Sequence, residues 1–160
     1  MSKSLPKTNA MRQLDAAKIP YEVCAYEVDE SDLSGVRIAE QIGLPSEMVF
    51  KTLVAKGDKT GHLVFCIPAD KEIDLKAAAT LTGNKKIEMV HVKDLLGLTG
   101  YIRGGCSPIG MKKKFPTYFA HTAADHERIT VSAGIKGAQL LISREALVDF
   151  VDGKLIDVAR

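Results

Sequence analysis

Two apolar runs in the first half of the chain limit the fold most strongly. Residues 49–55 read VFKTLVA and residues 63–68 read LVFCIP, and both are rich in β-branched and aromatic residues. The polar segment between them, KGDKTG at 56–61, is bracketed by glycines. Two such strands that are joined by a glycine-containing loop form an antiparallel pair. The sequence therefore predicts a β-hairpin over residues 49–68.

Helices and further strands surround this hairpin in irregular order. Helices are expected near residues 10–17, 36–42, 75–81, 93–98 and 146–150, and strands over 21–28, 87–90, 101–103, 117–120, 129–132 and 139–142. Neither a Gly-x-Gly-x-x-Gly motif nor a P-loop is present. The pattern favours an α/β protein of the α+β type, with a mixed or antiparallel sheet of about seven strands.

Length and composition point to one ordinary globular domain over residues 1–160. Hydrophobic residues make up 46% and charged residues 26% of the chain, which argues against disorder and against a coiled coil. The apolar runs are too short to cross a bilayer, and residues 1–6 contain no apolar signal region, so no membrane or secretory association is expected. The formal net charge of +2 predicts that any nucleic-acid binding comes from local patches.

The cysteines and histidines do not predict a metal site. Cys24, Cys66 and Cys106 are far apart and odd in number, which is typical of reduced cytoplasmic proteins, and no Cys-x-x-Cys pair exists. The four histidines show no metal-binding spacing either. We therefore expect no metal and no cofactor. Cys106 has no histidine at a motif-like spacing to activate it, which favours a bystander over a nucleophile.

Lys51 is the most informative single residue. It interrupts the first apolar run and shares a strand face with Val49, Leu53 and Ala55. A lysine on such a face either reaches water or meets an anion or acceptor. The alternative is an edge-strand lysine that blocks pairing between sheets.

A glycine-rich segment, YIRGGCSPIG at 101–110, is the second feature. Its glycines can bring backbone N–H groups to a pocket that suits a carbonyl, carboxylate or phosphate oxygen, although most such clusters are plain turns. Lys112, Lys113 and Lys114 follow directly, so they are expected at the mouth of this pocket, unless they form a solvated turn. The segment VSAGIKG at 131–137 either lines a site or closes a hairpin.

Five segments together resemble the YbaK family of trans-editing aminoacyl-tRNA deacylases. The matching pieces stand in the family's order and the domain fills the family's length. They are MVFKTL at 48–53, IDLKAAA at 73–79, NKKIEM at 84–89, TGYIRGGCSPIGMKK at 99–113 and VSAGIKG at 131–137. The Lys-Lys-x-Glu-Met and Gly-Tyr elements are more similar to the Cys-tRNA(Pro) deacylase branch than to the alanine-editing branch or to the insertion domain of prolyl-tRNA synthetases.

The resemblance implies a mixed, partly closed sheet or barrel that is wrapped by helices and has one pocket. It implies an enzyme that clears cysteine from mischarged tRNA(Pro), with Cys-tRNA(Cys) as a further substrate, in the cytoplasm. The implied partners are the acceptor end of the tRNA and prolyl-tRNA synthetase, with no DNA or membrane partner. Lys51 matches the essential lysine, and the glycine amides of Gly104 and Gly105 are assigned to the reacting carbonyl. Positions around the family's pocket are matched by Tyr26, Thr52, Gly104, Ser107, Ser132 and Gly134, whereas Gln139 and Cys106 depart from the relative compared.

In the mechanism proposed for this family, the sulfur of the substrate cysteine attacks the aminoacyl carbonyl and a thiolactone leaves. The protein then supplies positioning and electrostatic stabilisation, and the reaction is formally of the lyase type. Two alternatives stay open: an enzyme of the same fold that edits Ala-tRNA(Pro), and a non-catalytic tRNA-binding or regulatory module.

Overall fold

A computed structural model describes residues 6–160, so the expectation about the first residues lies largely outside the described part. Within residues 6–160 the chain forms five α-helices and eight strands. The helices are α1 (Asn9–Ala16), α2 (Gly35–Ile42), α3 (Leu75–Thr82), α4 (Val92–Thr99) and α5 (Arg144–Phe150). The strands are β1 (Tyr21–Ala25), β2 (Phe50–Gly57), β3 (Gly61–Pro68), β4 (Ile87–Met89), β5 (Thr117–Ala120), β6 (Arg128–Ser132), β7 (Ala138–Ser143) and β8 (Lys154–Ile156).

Side-chain caps fix where the helices begin. The side chains of Thr8, Asp74 and Ser143 accept hydrogen bonds from backbone N–H groups of the first turns of α1, α3 and α5, which is the usual role of these residue types at helix N-termini. Ser34 caps α2 in the same way. The helices α2, α3 and α4 each end at a glycine in the left-handed conformation, which terminates the helix without a Cβ penalty.

The strands form two sheets. The predicted hairpin is confirmed: β2 and β3 pair antiparallel, with Phe50 opposite Pro68 and Gly57 opposite Gly61. This hairpin is the centre of a five-stranded sheet of order β4-β2-β3-β5-β8, in which β5 pairs in parallel with both β3 and β8. A three-stranded antiparallel sheet has the order β1-β7-β6. The mixed α+β class is thereby confirmed.

The sheets are open rather than partly closed into a barrel. A single parallel bridge outside the named strands, between Val49 and Thr130, links the start of β2 to β6. The buried core fills the space around both sheets and includes Leu14 of α1, Phe65 of β3 and Leu140 of β7. Within the part of the chain that is described, no helix combines the length and the apolar character that a membrane span requires.

Two sequence predictions about strands were wrong, and one strand was missed. Residues 101–103 form no strand, because the Gly105 N–H donates to the Ile102 carbonyl and closes a turn. The first strand ends at Ala25 and not at Val28. The strand β8 was not predicted, since three residues without β-branched alternation carry too weak a pattern.

Candidate functional site

A cavity of about 490 Å³ lies between the two sheets. It is bordered by one edge of β2, by the loop that precedes α2, by the glycine-rich loop and by the ends of β6 and β7. Its volume falls in the range of ordinary small-molecule sites. The lining residues are Ser31, Asp32, Leu33, Ser34, Gly35, Ile38, Val49, Phe50, Lys51, Thr52, Leu53, Ala69, Arg103, Gly104, Cys106, Ser132 and Gln139.

One edge of the strand β2 borders the cavity because β4, the strand that pairs along that edge, is short. On one side, β3 pairs with β2 over its whole length. On the other side, β4 pairs only with residues 55–57 of β2. The edge of β2 at residues 50–53 is therefore turned toward the cavity. Adjacent residues of a strand point to opposite faces, yet Lys51 and Thr52 both line the cavity because its wall is this edge.

Lys51 contributes a half-buried cation to the wall. Its ammonium nitrogen lies 3.5 Å from the carbonyl oxygen of Ala69, which is at the limit of a hydrogen bond. Burial lowers the pKa of the Lys51 ammonium, and the nearby carboxylates of Glu72 and Asp70 oppose that effect. Lys51 lies on the part of β2 that β4 leaves unpaired, and this open edge faces the cavity.

The glycine-rich loop forms the opposite wall. Gly104 has a φ of +88°, and a Cβ at this position would lie 3.3 Å from Cε of Lys136. Among the described residues its N–H has no hydrogen-bond acceptor. The prediction that Gly105 offers a second free amide is wrong, because that N–H is bonded to the Ile102 carbonyl and the residue packs against the backbone of Ile135, outside the lining.

Buried polar side chains form the inner end of the cavity. Ser132 of β6 and Gln139 of β7 face each other across the two strands, and both are buried. The Thr130 hydroxyl donates to the Gln139 side-chain oxygen at 3.0 Å. The Ser132 hydroxyl oxygen accepts the N–H of Gly134 at 3.1 Å, which fixes its position.

Three predicted pocket residues do not line the cavity. Ser107 is fully buried, and its hydroxyl accepts the N–H of Ile109 inside the glycine-rich loop. Gly134 lies against the ring of Tyr101, where a Cβ would approach a ring carbon to 2.9 Å. Tyr26 follows β1 and donates its N–H to the Gly137 carbonyl. The structure brings these residues close to the walls as supports.

The lysine cluster lies elsewhere than predicted. Lys113 and Lys114 line a second cavity of about 200 Å³, on the other side of the glycine-rich loop. Lys114 also forms an ion pair with Asp152, and the Lys112 side chain covers Gly100. The exposed cation on the rim of the first cavity is instead Arg103.

Sequence reasoning did not assign the loop before α2 or Arg103 to the site, and it named Gln139 only as a departure from the relative compared. Residues 31–35 all line the cavity. The alternation of Asp and Ser there signals backbone-capping turns, since Asp32 accepts the N–H of Ser34. The proximity of Arg103 and Gln139 to Lys51 depends on tertiary contacts and leaves no local signal.

The cysteine of the cavity is poorly suited to be a nucleophile. Burial raises the pKa of the Cys106 thiol to about 12, so the thiol is protonated at neutral pH. Cys66 behaves in the same way, with a pKa of about 12. Within residues 6–160, no group of three or more His, Cys, Asp or Glu side chains is placed to hold a metal ion.

Comparison with known proteins places these features in context. Residues 34–150 match the family described as aminoacyl-tRNA editing domain. A protein of Enterococcus faecalis with the provisional name Cys-tRNA(Pro)/Cys-tRNA(Cys) deacylase EbsC is 47% identical over 156 residues, which cover 98% of this chain and 95% of that protein.

Two further similarities are more distant. Proline–tRNA ligase 1 of Streptomyces avermitilis is 30% identical over 89 residues, which cover 54% of this chain and 15% of the ligase. A crystal structure described provisionally as a trans-editing enzyme for prolyl tRNA synthetase superposes with a TM-score of 0.80 at 21% identity, over 98% of this chain and 99% of that one. At that identity the superposition shows a shared fold.

Proposed function

Because the chain belongs to the aminoacyl-tRNA editing domain family, we propose that it is a trans-acting deacylase that clears cysteine from Cys-tRNA(Pro). Cys-tRNA(Cys) is a second substrate, as the name of the Enterococcus faecalis relative suggests. Free aminoacyl-tRNA is the substrate, prolyl-tRNA synthetase is the partner that produces it, and the cytoplasm is the place of action.

The observation that carries this proposal is the placement of Lys51. Its half-buried ammonium meets a carbonyl oxygen at 3.5 Å and faces a cavity whose size suits an aminoacylated nucleotide. A cation in that position is stabilised when an anionic or polar ligand enters. We assign Lys51 to the phosphate or ribose of the terminal nucleotide.

The substrate supplies the nucleophile in the proposed reaction. The cysteine thiolate attacks the aminoacyl carbonyl carbon, the carbon–oxygen bond to the ribose breaks, and the ribose oxygen takes up a proton. The products are a four-membered thiolactone and a tRNA with a free 3′ end. The protonated thiol of Cys106 is consistent with this assignment, because it leaves the enzyme without a competing thiolate.

The glycine-rich loop stabilises the developing oxyanion. The Gly104 N–H is assigned to the carbonyl oxygen, since it lines the cavity and has no acceptor among the described residues. Thr52 and Ser132 contact the aminoacyl group from the two facing sheets. Tyr26, Ser107 and Gly134 act through the residues that they support.

Positive charge outside the cavity binds the rest of the tRNA. Arg103 at the rim is placed to meet the phosphate nearest the terminal nucleotide. Lys112, Lys113 and Lys114 are assigned to phosphates of the acceptor stem, farther from the reacting ester.

Deacylation of purified tRNA(Pro) charged with cysteine, alanine or serine tests the function. Preferential release of cysteine by the purified protein, with trapping of the thiolactone, supports the proposal. Preferential release of alanine would make the chain an alanine-editing enzyme of the same fold. Binding of charged tRNA without any release would make it a non-catalytic module.

A further inference from the structure

We propose that Gln139 recognises the sulfur of the substrate cysteine, as the residue that determines specificity at the inner end of the cavity. The side-chain amide N–H₂ of Gln139 donates a hydrogen bond to the thiol, and more strongly to the thiolate. This inference rests on the proposed function and identifies the part of the substrate that binds at the inner end of the cavity.

The Gln139 side chain lies in the buried wall of the cavity, where a hydrogen bond holds its amide. The residue is 4% exposed and lines the cavity. Its side-chain oxygen accepts the Thr130 hydroxyl, which is itself fully buried, at 3.0 Å. Among the described residues the N–H₂ group has no acceptor, and it is not one of the fully buried polar atoms, so it is accessible from the cavity that Gln139 lines. A donor that is open to the cavity can exchange its hydration for an acceptor atom of a ligand.

The depth of the cavity determines which part of the substrate reaches this amide. Its inner lining is buried at Gln139, Ser132 and Cys106, whereas Asp32 and Arg103 at its rim are exposed. With the terminal nucleotide assigned to Lys51, we place the amino-acid side chain at the inner end, beside Gln139 and Ser132. Cysteine offers a sulfur acceptor there, whereas alanine offers none.

The charges around the sulfur favour its ionised form. The charged groups that line the cavity are Lys51 from β2, Arg103 from the glycine-rich loop and Asp32 from the loop before α2. The other titratable groups near Gln139 are Cys106 in the lining and Cys24, which lies directly opposite Gln139 on β1. At residue 139 a neutral amide donor adds stabilisation to a thiolate, whereas a carboxylate would repel it.

Binding of unreactive analogues tests the inference separately from catalysis. The probes are 3′-deoxy-3′-aminoadenosine derivatives that carry cysteine or alanine through an amide, which resists cleavage. The Gln139→Glu variant keeps the acceptor for Thr130 and removes both N–H donors, and Gln139→Met removes the whole amide. Gln13→Met is the matched control, because Gln13 lies on α1 beside the second cavity.

We expect each Gln139 variant to weaken binding of the cysteine analogue by roughly tenfold while binding of the alanine analogue changes less than twofold. The control should leave the ratio of the two affinities unchanged. Thr130→Val should give part of the same loss, and Thr130→Ser should restore it, since Thr130 acts by holding the amide. An equal loss of affinity for both analogues would show that the amide binds the carbonyl group. An unchanged affinity for the cysteine analogue would show that the amide binds no part of the substrate. Either result overturns the inference.

A pH series on Cys-tRNA(Pro) gives the second readout. Turnover should rise with pH as the substrate thiol ionises, and the midpoint should move upward by about one pH unit in Gln139→Glu, with a smaller move in Gln139→Met. An unmoved midpoint in both variants would overturn the role of the amide. If the wild-type protein deacylates no charged tRNA and binds neither analogue, the proposed function fails as well. If the wild-type protein turns over Cys-tRNA(Pro) and the Gln139 variants keep its affinities and its pH midpoint, this inference alone is refuted.

Discussion

The Lys51 ammonium lies 3.5 Å from the carbonyl oxygen of Ala69, where the chain has just left β3. The pair joins the open edge of β2 to the segment after its hairpin partner, and both residues line the cavity. Burial lowers the pKa of Lys51, and the carboxylates of Glu72 and Asp70, together with one long hydrogen bond to a neutral oxygen, offset only part of that effect. The ammonium is thus prepared for a ligand with more negative charge than a carbonyl.

Lys51→Ala should abolish measurable deacylation of Cys-tRNA(Pro) while leaving the fold intact. Removing one preorganised electrostatic donor typically reduces turnover by about 10²–10³-fold. Lys56→Ala is the matched control, since Lys56 is an exposed lysine on the same strand. The measurements are single-turnover deacylation and thermal unfolding. Near-wild-type turnover by a folded Lys51→Ala protein would remove this lysine from the mechanism.

The activity should decline on the alkaline side at a lower pH than an ordinary lysine would give. The charged form is required for binding, and burial lowers the pKa of Lys51, so the cation is lost before the usual lysine range near about 10.4 is reached. Lys51→Arg keeps the charge throughout and should remove this alkaline decline. The readout is kcat/KM against pH for both proteins, and an identical decline in both would assign it to another group.

Much of the local structure could be predicted from the sequence, because it depends on local chemistry. Apolar runs with a glycine-bracketed loop specified the β2–β3 hairpin. Gly105 was misjudged because a glycine pair reveals conformational freedom and does not reveal which N–H is used in a turn. Gln139 and Lys51 line the same cavity only because of the arrangement of two sheets, which no local pattern contains.

Cys106→Ser should retain most of the deacylase activity. Burial raises the pKa of the thiol to about 12, and the attacking sulfur is assigned to the substrate. In the native protein Cys106 should therefore react slowly with iodoacetamide at pH 8, and the partly exposed Cys24 should react first. Mass spectrometry of the labelled protein gives the order. Loss of activity in the variant together with an acyl adduct on Cys106 would establish nucleophilic catalysis by the enzyme.

Gly104→Ala should lower turnover more than it lowers stability. A side chain at a φ of +88° costs about 1–2 kcal/mol, and the new Cβ would press on Lys136 at 3.3 Å beside the proposed oxyanion donor. Gly137→Ala introduces similar strain at a φ of +98°, with its nearest neighbours at 3.5 Å and outside the cavity lining. Urea unfolding should give similar losses of stability for both variants, while kcat should fall strongly in Gly104→Ala alone. Equal losses of kcat would mean that backbone strain, and not the position of the amide, explains the effect.

Replacing Lys112, Lys113 and Lys114 together by alanine should raise KM for charged tRNA and leave saturated turnover nearly unchanged. Two of these lysines line the second cavity, so they are separated from the reacting ester by the glycine-rich loop. Each lysine that no longer meets a phosphate should reduce the salt slope of binding by about one. Lys114 is already paired with Asp152, so the expected total is about two rather than three. The test is a salt series of KM and kcat on tRNA(Pro) charged with cysteine and with alanine. An unchanged salt slope would place the acceptor stem on another face of the protein, and a changed preference between cysteine and alanine would mean that these lysines act on the first cavity through the loop.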